Sequence, residues 1–193
     1  MSTYVSLETP PIEMGIIGER VDLLSLGVIQ INLQRIADKV AHDLLVAEGI
    51  LAPGWRWSNY PSRWFQPEYP RFVQLDVAQA HAGSFDSTLA IAVLATLADP
   101  HAVAILENLA SNVIWAIGTS GLRGVTREFA HHLPVPSRFR RQDRDPYQVE
   151  ALVRDSILVA EQNPNIKAIR YRASGAEVIL DLEFYRGQQD RRR

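Results

Sequence analysis

The sequence predicts an α+β fold: short antiparallel strands packed with an apolar helical hairpin, then a C-terminal helix and β-hairpin. Three observations lead there. Stretches of alternating hydrophobicity are mixed with stretches of helical period, without the repeating βα alternation of a doubly wound sheet. Hydrophobic residues make up 47% of the 193 positions, the share of an ordinary globular chain. A chain of that length buries about 70% of its unfolded surface, enough for a core without covalent staples.

Thr3 to Glu8 alternates and predicts a short strand, closed by Pro10-Pro11. From Val28 to Glu48, Ile29, Leu33, Ile36, Val40 and Leu44 fall on one helical face, with Gly49 as the stop. Gln34, Arg35, Asp38, Lys39 and Asp43 lie off that stripe, and His42 is expected on the exposed side. Residues 53–72 carry four prolines, which forbid a regular helix or a central strand. Phe72 to Ala80 predicts a strand with Val73, Leu75 and Val77 on one face.

Ser84 or Ser87 then suits the cap of an apolar helix from about Thr88 to Ala98. Asp99 as N-cap with Pro100 behind it opens the second arm of the hairpin, which turns Leu106, Leu109, Val113 and Ile117 inward and ends at Gly118. Residues 118–124 form a loop, and Arg127 to His132 a short helix. Asp145-Pro146 opens a helix with Val149, Leu152, Val153 and Ile157 on one face, ended by Asn163-Pro164-Asn165. Two alternating runs, Ile166 to Arg172 and Glu177 to Tyr185, close a hairpin around Ala173-Ser174-Gly175-Ala176, with Tyr171, Val178, Leu180, Leu182 and Phe184 on its buried face. The proline- and arginine-rich stretch 133–145 divides a main unit, 1–132, from a helix–hairpin unit, 146–193, with an arginine tail.

Composition removes several chemistries. With no cysteine there is no disulfide, thiolate zinc site, iron–sulfur cluster or cysteine nucleophile, and a reducing cytoplasm fits. The first fifteen residues lack the charged and apolar regions of a secretory signal. The one membrane candidate, Thr88 to Ile117, has twelve Leu, Ile and Val side chains that would gain about 0.5 kcal/mol each on insertion. Asp99 and Glu107 would each cost about 3 kcal/mol, and Asp99-Pro100 cuts the run. A pI of about 6.2 does not suit a dedicated nucleic-acid binder.

Catalytic motifs are weak. Gly118-Thr119-Ser120-Gly121 misses the G-x-S-x-G elbow, because position 122 is leucine, and it follows a helix rather than a strand. No phosphate-binding glycine motif occurs, and Asp86 would repel an anion at Gly83 to Thr88. Glu128, His131 and His132 offer an incomplete metal set. His81, beside Ser84 and Asp86, is the best lone acid–base candidate. No cofactor and no metal are expected.

The anomalies are surfaces. Seven of the sixteen aromatics fall in 53–72, interleaved with arginine. Trp55, Arg56, Trp57, Tyr60, Arg63, Trp64 and Tyr69 have the composition of an interface hot spot. Residues 120–144 carry six arginines, of which Arg138, Arg140 and Arg141 extend that surface, while residues 1–52 hold seven acids against three bases. Such asymmetry suits head-to-tail association. The expected function is therefore a non-catalytic interaction or self-assembly protein, its partner a protein or a second copy. A membrane-active protein exposing 88–117, in conditional contact with a bilayer, is one alternative. A small enzyme working near His81 is the other.

Overall fold

The structure, a computed structural model, describes residues 4–51, 72–80, 85–95, 99–120, 126–129 and 146–190. The chain runs β1 (Tyr4–Ser6), β2 (Ile12–Gly18), α1 (Leu23–Ala47), β3 (Val73–Ala80), β4 (Ser87–Leu94), α2 (Pro100–Leu106), α3 (Leu109–Gly118), β5 (Thr126–Phe129), α4 (Pro146–Glu161), β6 (Ile166–Ala173), β7 (Ala176–Asp181) and α5 (Leu182–Asp190). The fold is α+β, and every strand pairing is antiparallel.

The strands form one sheet built around β4. Along one edge β4 takes β3, from Val73↔Val93 to Ala80↔Ser87. Its other edge takes β1 at Ala92–Leu94 and β2 at Ser87–Leu89. β1 and β2 thus behave as one strand, interrupted where Pro10 and Pro11 cannot donate to a ladder. β2 continues to β6, β6 to β7 and β7 to β5.

The expected helix at Thr88 to Ala98 is the first correction, because Ser87–Leu94 is this central strand. An apolar run of that length suits a buried strand as well as a helix. β-branched Thr88, Ile91 and Val93 favour the pleat, and ladders on both edges satisfy the backbone there. Leu89, Ile91 and Val93 point into the core, and Thr88, Ala90 and Ala92 to the opposite face. Only the second arm of the expected hairpin is helical, and it breaks at Glu107-Asn108 into α2 and α3. Asp99 caps it as expected, accepting from His101 N at 2.9 Å and Ala102 N at 3.1 Å. Leu106, Leu109, Val113 and Ile117 are all fully buried.

Two more elements differ. Where a short helix was expected from Arg127 to His132, Thr126–Phe129 is a strand on β7, and residues 130–132 lie outside the described residues. β7 ends at Asp181 instead of continuing to Tyr185, because the Asp181 carboxylate accepts from Phe184 N at 2.9 Å and starts α5. Leu182 is still buried, but Phe184 is exposed, not core. The β6–β7 turn is as expected: Ser174 (φ 49°) and Gly175 (φ 79°) form the two-residue, left-handed connection that matches strand twist.

Helices α1, α3 and α4 line the inner face, and one continuous core runs from Ile12 and Met14 through Ile29, Leu33 and Leu109 to Ile157, Ile169 and Leu180. The expected linker 133–145 lies outside the described residues. The elements C-terminal to it, α4 to α5, share this sheet and this core. α1 and α4 lie side by side, joined by a buried polar chain in which Asn32 donates to Ser156 at 3.1 Å and Ser156 to the Leu152 carbonyl at 3.0 Å. Tyr171 bonds the same hydroxyl, and burial pushes its phenol well above the usual range.

At the far end, Arg186 of α5 donates to the carbonyls of Asn163 (3.0 Å), Ile166 (3.1 Å), Glu161 (3.2 Å) and Ala160 (3.4 Å). A helix leaves its last carbonyls without intrahelical partners and concentrates negative charge there, so a guanidinium is a fitting cap. Arg186→Ala should lower the unfolding free energy by about 2 kcal/mol in urea titration. Arg186→Lys should recover only part of it, because an ammonium cannot span four carbonyls. Leu109→Asp should leave little soluble folded protein, since a buried unpaired carboxylate costs several kcal/mol against a total of about 5–15. Expression and circular dichroism of that variant check it.

Candidate functional site

Most expected contact residues lie outside the described residues: Trp55, Arg56, Trp57, Tyr60, Arg63, Trp64, Tyr69, Arg138, Arg140 and Arg141. His81, Ser84, His131 and His132 do too, and of Glu128 only the backbone, in β5, is described. Phe72 closes the aromatic segment, and it is buried with its ring 5.5 Å from that of His42. Ser120 is buried and donates to the Ile117 carbonyl at 2.6 Å, ending α3 rather than standing as a nucleophile. Residues 88–94 lie in the middle of the sheet, and no helix among the described residues is long and apolar enough to cross a membrane.

Two groupings remain that local patterning did not reveal. One is buried on α1. Lys39 and His42, expected on the exposed side, are both buried, because the C-terminal half of α1 is enclosed on more than its apolar stripe. A buried ammonium needs a partner, and Asp43 supplies it with both oxygens at 2.5 Å. His42 Nδ1 lies 3.2 Å from the same carboxylate. Burial pushes the Asp43 carboxyl up, but the His42 and Lys39 contacts outweigh it and hold the carboxyl below its ordinary value. This is a satisfied buried ion cluster. A one-dimensional stripe cannot show which other sides of a helix become covered.

The other grouping lies on the face of the sheet away from α1, α3 and α4. Parity along the strands places Glu13, Gly15 and Ile17 of β2, Thr88, Ala90 and Ala92 of β4, Arg170 and Arg172 of β6, and Glu177 and Ile179 of β7 there. Arg170 reaches in both directions, to Asp86 at 3.2 Å and Glu177 at 4.0 Å. Arg172 lies 3.9 Å from Glu13, its register partner. The first bridge crosses directly over Gly15, where an added Cβ would come within 2.2 Å of Asp86 Oδ1. A glycine in a strand usually weakens it. Here it leaves the space through which a charged row crosses three strands. Asp86, suspected beside His81 of acid–base work, is a member of that row.

Magnitude separates the two groupings. Half-exposed pairs at such distances contribute about 0–1 kcal/mol each, so the row does not hold the sheet together. It presents alternating charge on a floor of small side chains, an arrangement fit to meet a complementary surface. Among the described residues no three His, Asp or Glu side chains gather as a metal ion would need.

Among the described residues, the carboxyls of Asp22 and Asp43 are held below their ordinary values. Hydrogen bonds from the Ser25 side chain, the Ser25 backbone and Asn163 lower Asp22 to about 2. A carboxyl lowered on folding stabilises the native state above its unfolded pKa of about 3.9, and loses that contribution as pH falls through its folded value. Asp22→Asn should therefore lower the urea midpoint at pH 7, and the difference from wild type should close as pH falls from about 4 toward 2. No family model matches the chain, and no curated protein or solved structure is significantly similar to it.

Proposed function

We propose that this chain is a non-catalytic interaction protein that docks a protein partner through the open face of its sheet. The observation that carries it is the Asp86–Arg170–Glu177 row laid across Gly15. The row adds little to stability, yet it needs a glycine under it and residues from three separate segments. Electrostatic rows of this kind steer encounter and set register more than they add affinity. The aromatic–arginine stretch 53–72 and the basic residues Arg138, Arg140 and Arg141 supply the side chains from which interfaces draw affinity, and they belong to the same function. Lack of cysteine suits such a protein to the cytoplasm.

Photo-crosslinking tests this in cells that make the protein. A crosslinker at Thr88, on the open face, should give a discrete protein adduct, and one at Ala104, exposed on α2, should not. Adding Arg170→Glu with Arg172→Glu should remove the adduct while the thermal midpoint moves by only a few degrees. Equal labelling from both positions, or an adduct indifferent to the charge reversal, defeats the proposal.

A further inference from the structure

At the corner where α4 passes into β6, four backbone carbonyls converge on one guanidinium. Arg186 Nη1 donates to the Ile166 carbonyl at 3.1 Å, and Nη2 to those of Asn163 (3.0 Å), Glu161 (3.2 Å) and Ala160 (3.4 Å). All four acceptors are neutral backbone oxygens, from the last turn of α4, the turn behind it and the first residue of β6. The negative end of the α4 dipole lies here as well. The rest of the chain builds this basin without Arg186. Asn163 N donates to the Ala160 carbonyl and Ile166 N to that of Asn163, both at 3.1 Å. Asn165 N donates to Asn163 Oδ1 at 3.0 Å, and Asn163 Nδ2 is anchored on the Arg20 carbonyl and Asp22. A carbonyl oxygen has two lone pairs, so those bonds still leave Ala160 and Asn163 one each for a cation.

α5 brings Arg186 to the basin and has little else to hold it. A helix of nine residues does not persist by itself in water, so its docking must support it. Leu182, at its start, is buried, and Tyr185 packs in part against the core. Glu183, Phe184 and Gly187 face solvent, and a glycine inside a helix costs backbone entropy. A segment with so few buried contacts opens at a lower free energy than the fold as a whole.

We propose that this carbonyl basin is a guanidinium-binding site, filled in cis by Arg186, and that α5 is a strap able to leave it while the rest of the chain stays folded. The ligand class is a guanidinium cation, such as an arginine side chain of a protein partner carries. Nη1 and Nη2 make all four bonds, so the helix that carries them is not needed for recognition. An ammonium has a single nitrogen and cannot reach Ile166 and the α4 carbonyls together, so the site discriminates against lysine and alkylamines. Competition at the basin couples arrival of a guanidinium to release of α5. The site is separate from the open sheet face and does not rest on that reading.

Hydrogen exchange and thermal unfolding of the full chain carrying Arg186→Ala test both parts. The amides of α5 should lose protection in the variant, while those of α1 and β6 keep theirs. Methylguanidinium at millimolar concentration should then raise the variant's thermal midpoint saturably by a few degrees. Methylammonium at the same ionic strength should not, and wild type, its basin already filled, should gain from neither ion. Protection of α5 that persists in the variant, no saturable response to methylguanidinium, or an equal response to methylammonium or in wild type overturns the proposal. Should the variant fail to fold alone, refolding it in each ion decides. Recovery in methylguanidinium only supports the site, and recovery in both or in neither overturns it.

Discussion

The short turn between α4 and β6 is where α1, β2, α4, β6 and α5 are tied to one another by hydrogen bonds. Asn163 donates to the Arg20 carbonyl at 3.1 Å and to Asp22 at 2.8 Å, tying the end of α4 to the start of α1. The Asn165 carbonyl accepts from Glu19 N and sits where a Cβ on Gly18 would approach to 2.3 Å, so β2 ends against bare backbone. Arg186 of α5 closes the same corner from the other side. The constraint is elementary, since terminal helix carbonyls and turn amides must find partners once water is excluded. Some partners are local, as where Asn165 N donates to Asn163 Oδ1, and the rest come from α1, β2 and α5. β6 leaves this corner to join β2 to β7, and so the whole β7–β5 half of the sheet depends on where the corner points.

From that corner the two faces diverge in physical character. On the helix side, apolar burial dominates, and two polar clusters are satisfied there: Asn32, Ser156 and Tyr171 in one chain, Lys39, His42 and Asp43 in another. Removing one partner there strands a buried donor or acceptor, at about 1–3 kcal/mol or more. On the open side, the charges are half-solvated and individually cheap to change. Surfaces under such loose energetic control can be shaped for recognition without endangering the fold.

Much of this architecture was legible locally. Asp99-Pro100, Ser174-Gly175 and Asn163-Pro164-Asn165 act through their own backbone chemistry, and each sits where expected. The inward stripes of α1, α3 and α4 were visible because burial on one face imprints a 3.6-residue period. Thr88 to Leu94 was not, because its outward positions carry the apolar Ala90 and Ala92, and a continuous apolar run hides the alternation that would mark a strand. The charged row was legible only in part: Arg170 and Glu177 belong to one hairpin whose strands carry opposite charge, whereas Glu13 and Asp86 come from distant segments and meet them only through sheet register.

By itself, then, the sequence determined the α+β class, the caps and turns, and most of the inward-facing side chains, since those depend on a residue and its near neighbours. Tertiary structure decided what depends on pairing across the chain. It made a helix-like apolar run the central strand, ended β7 in a helix at Asp181, and buried Lys39 and His42 beside Asp43. It also laid the half-exposed charges Asp86, Arg170 and Glu177 side by side on the sheet face away from the helices. Backbone donors and acceptors in a sheet are satisfied by partners far away in sequence, so no local pattern could say where they would be found.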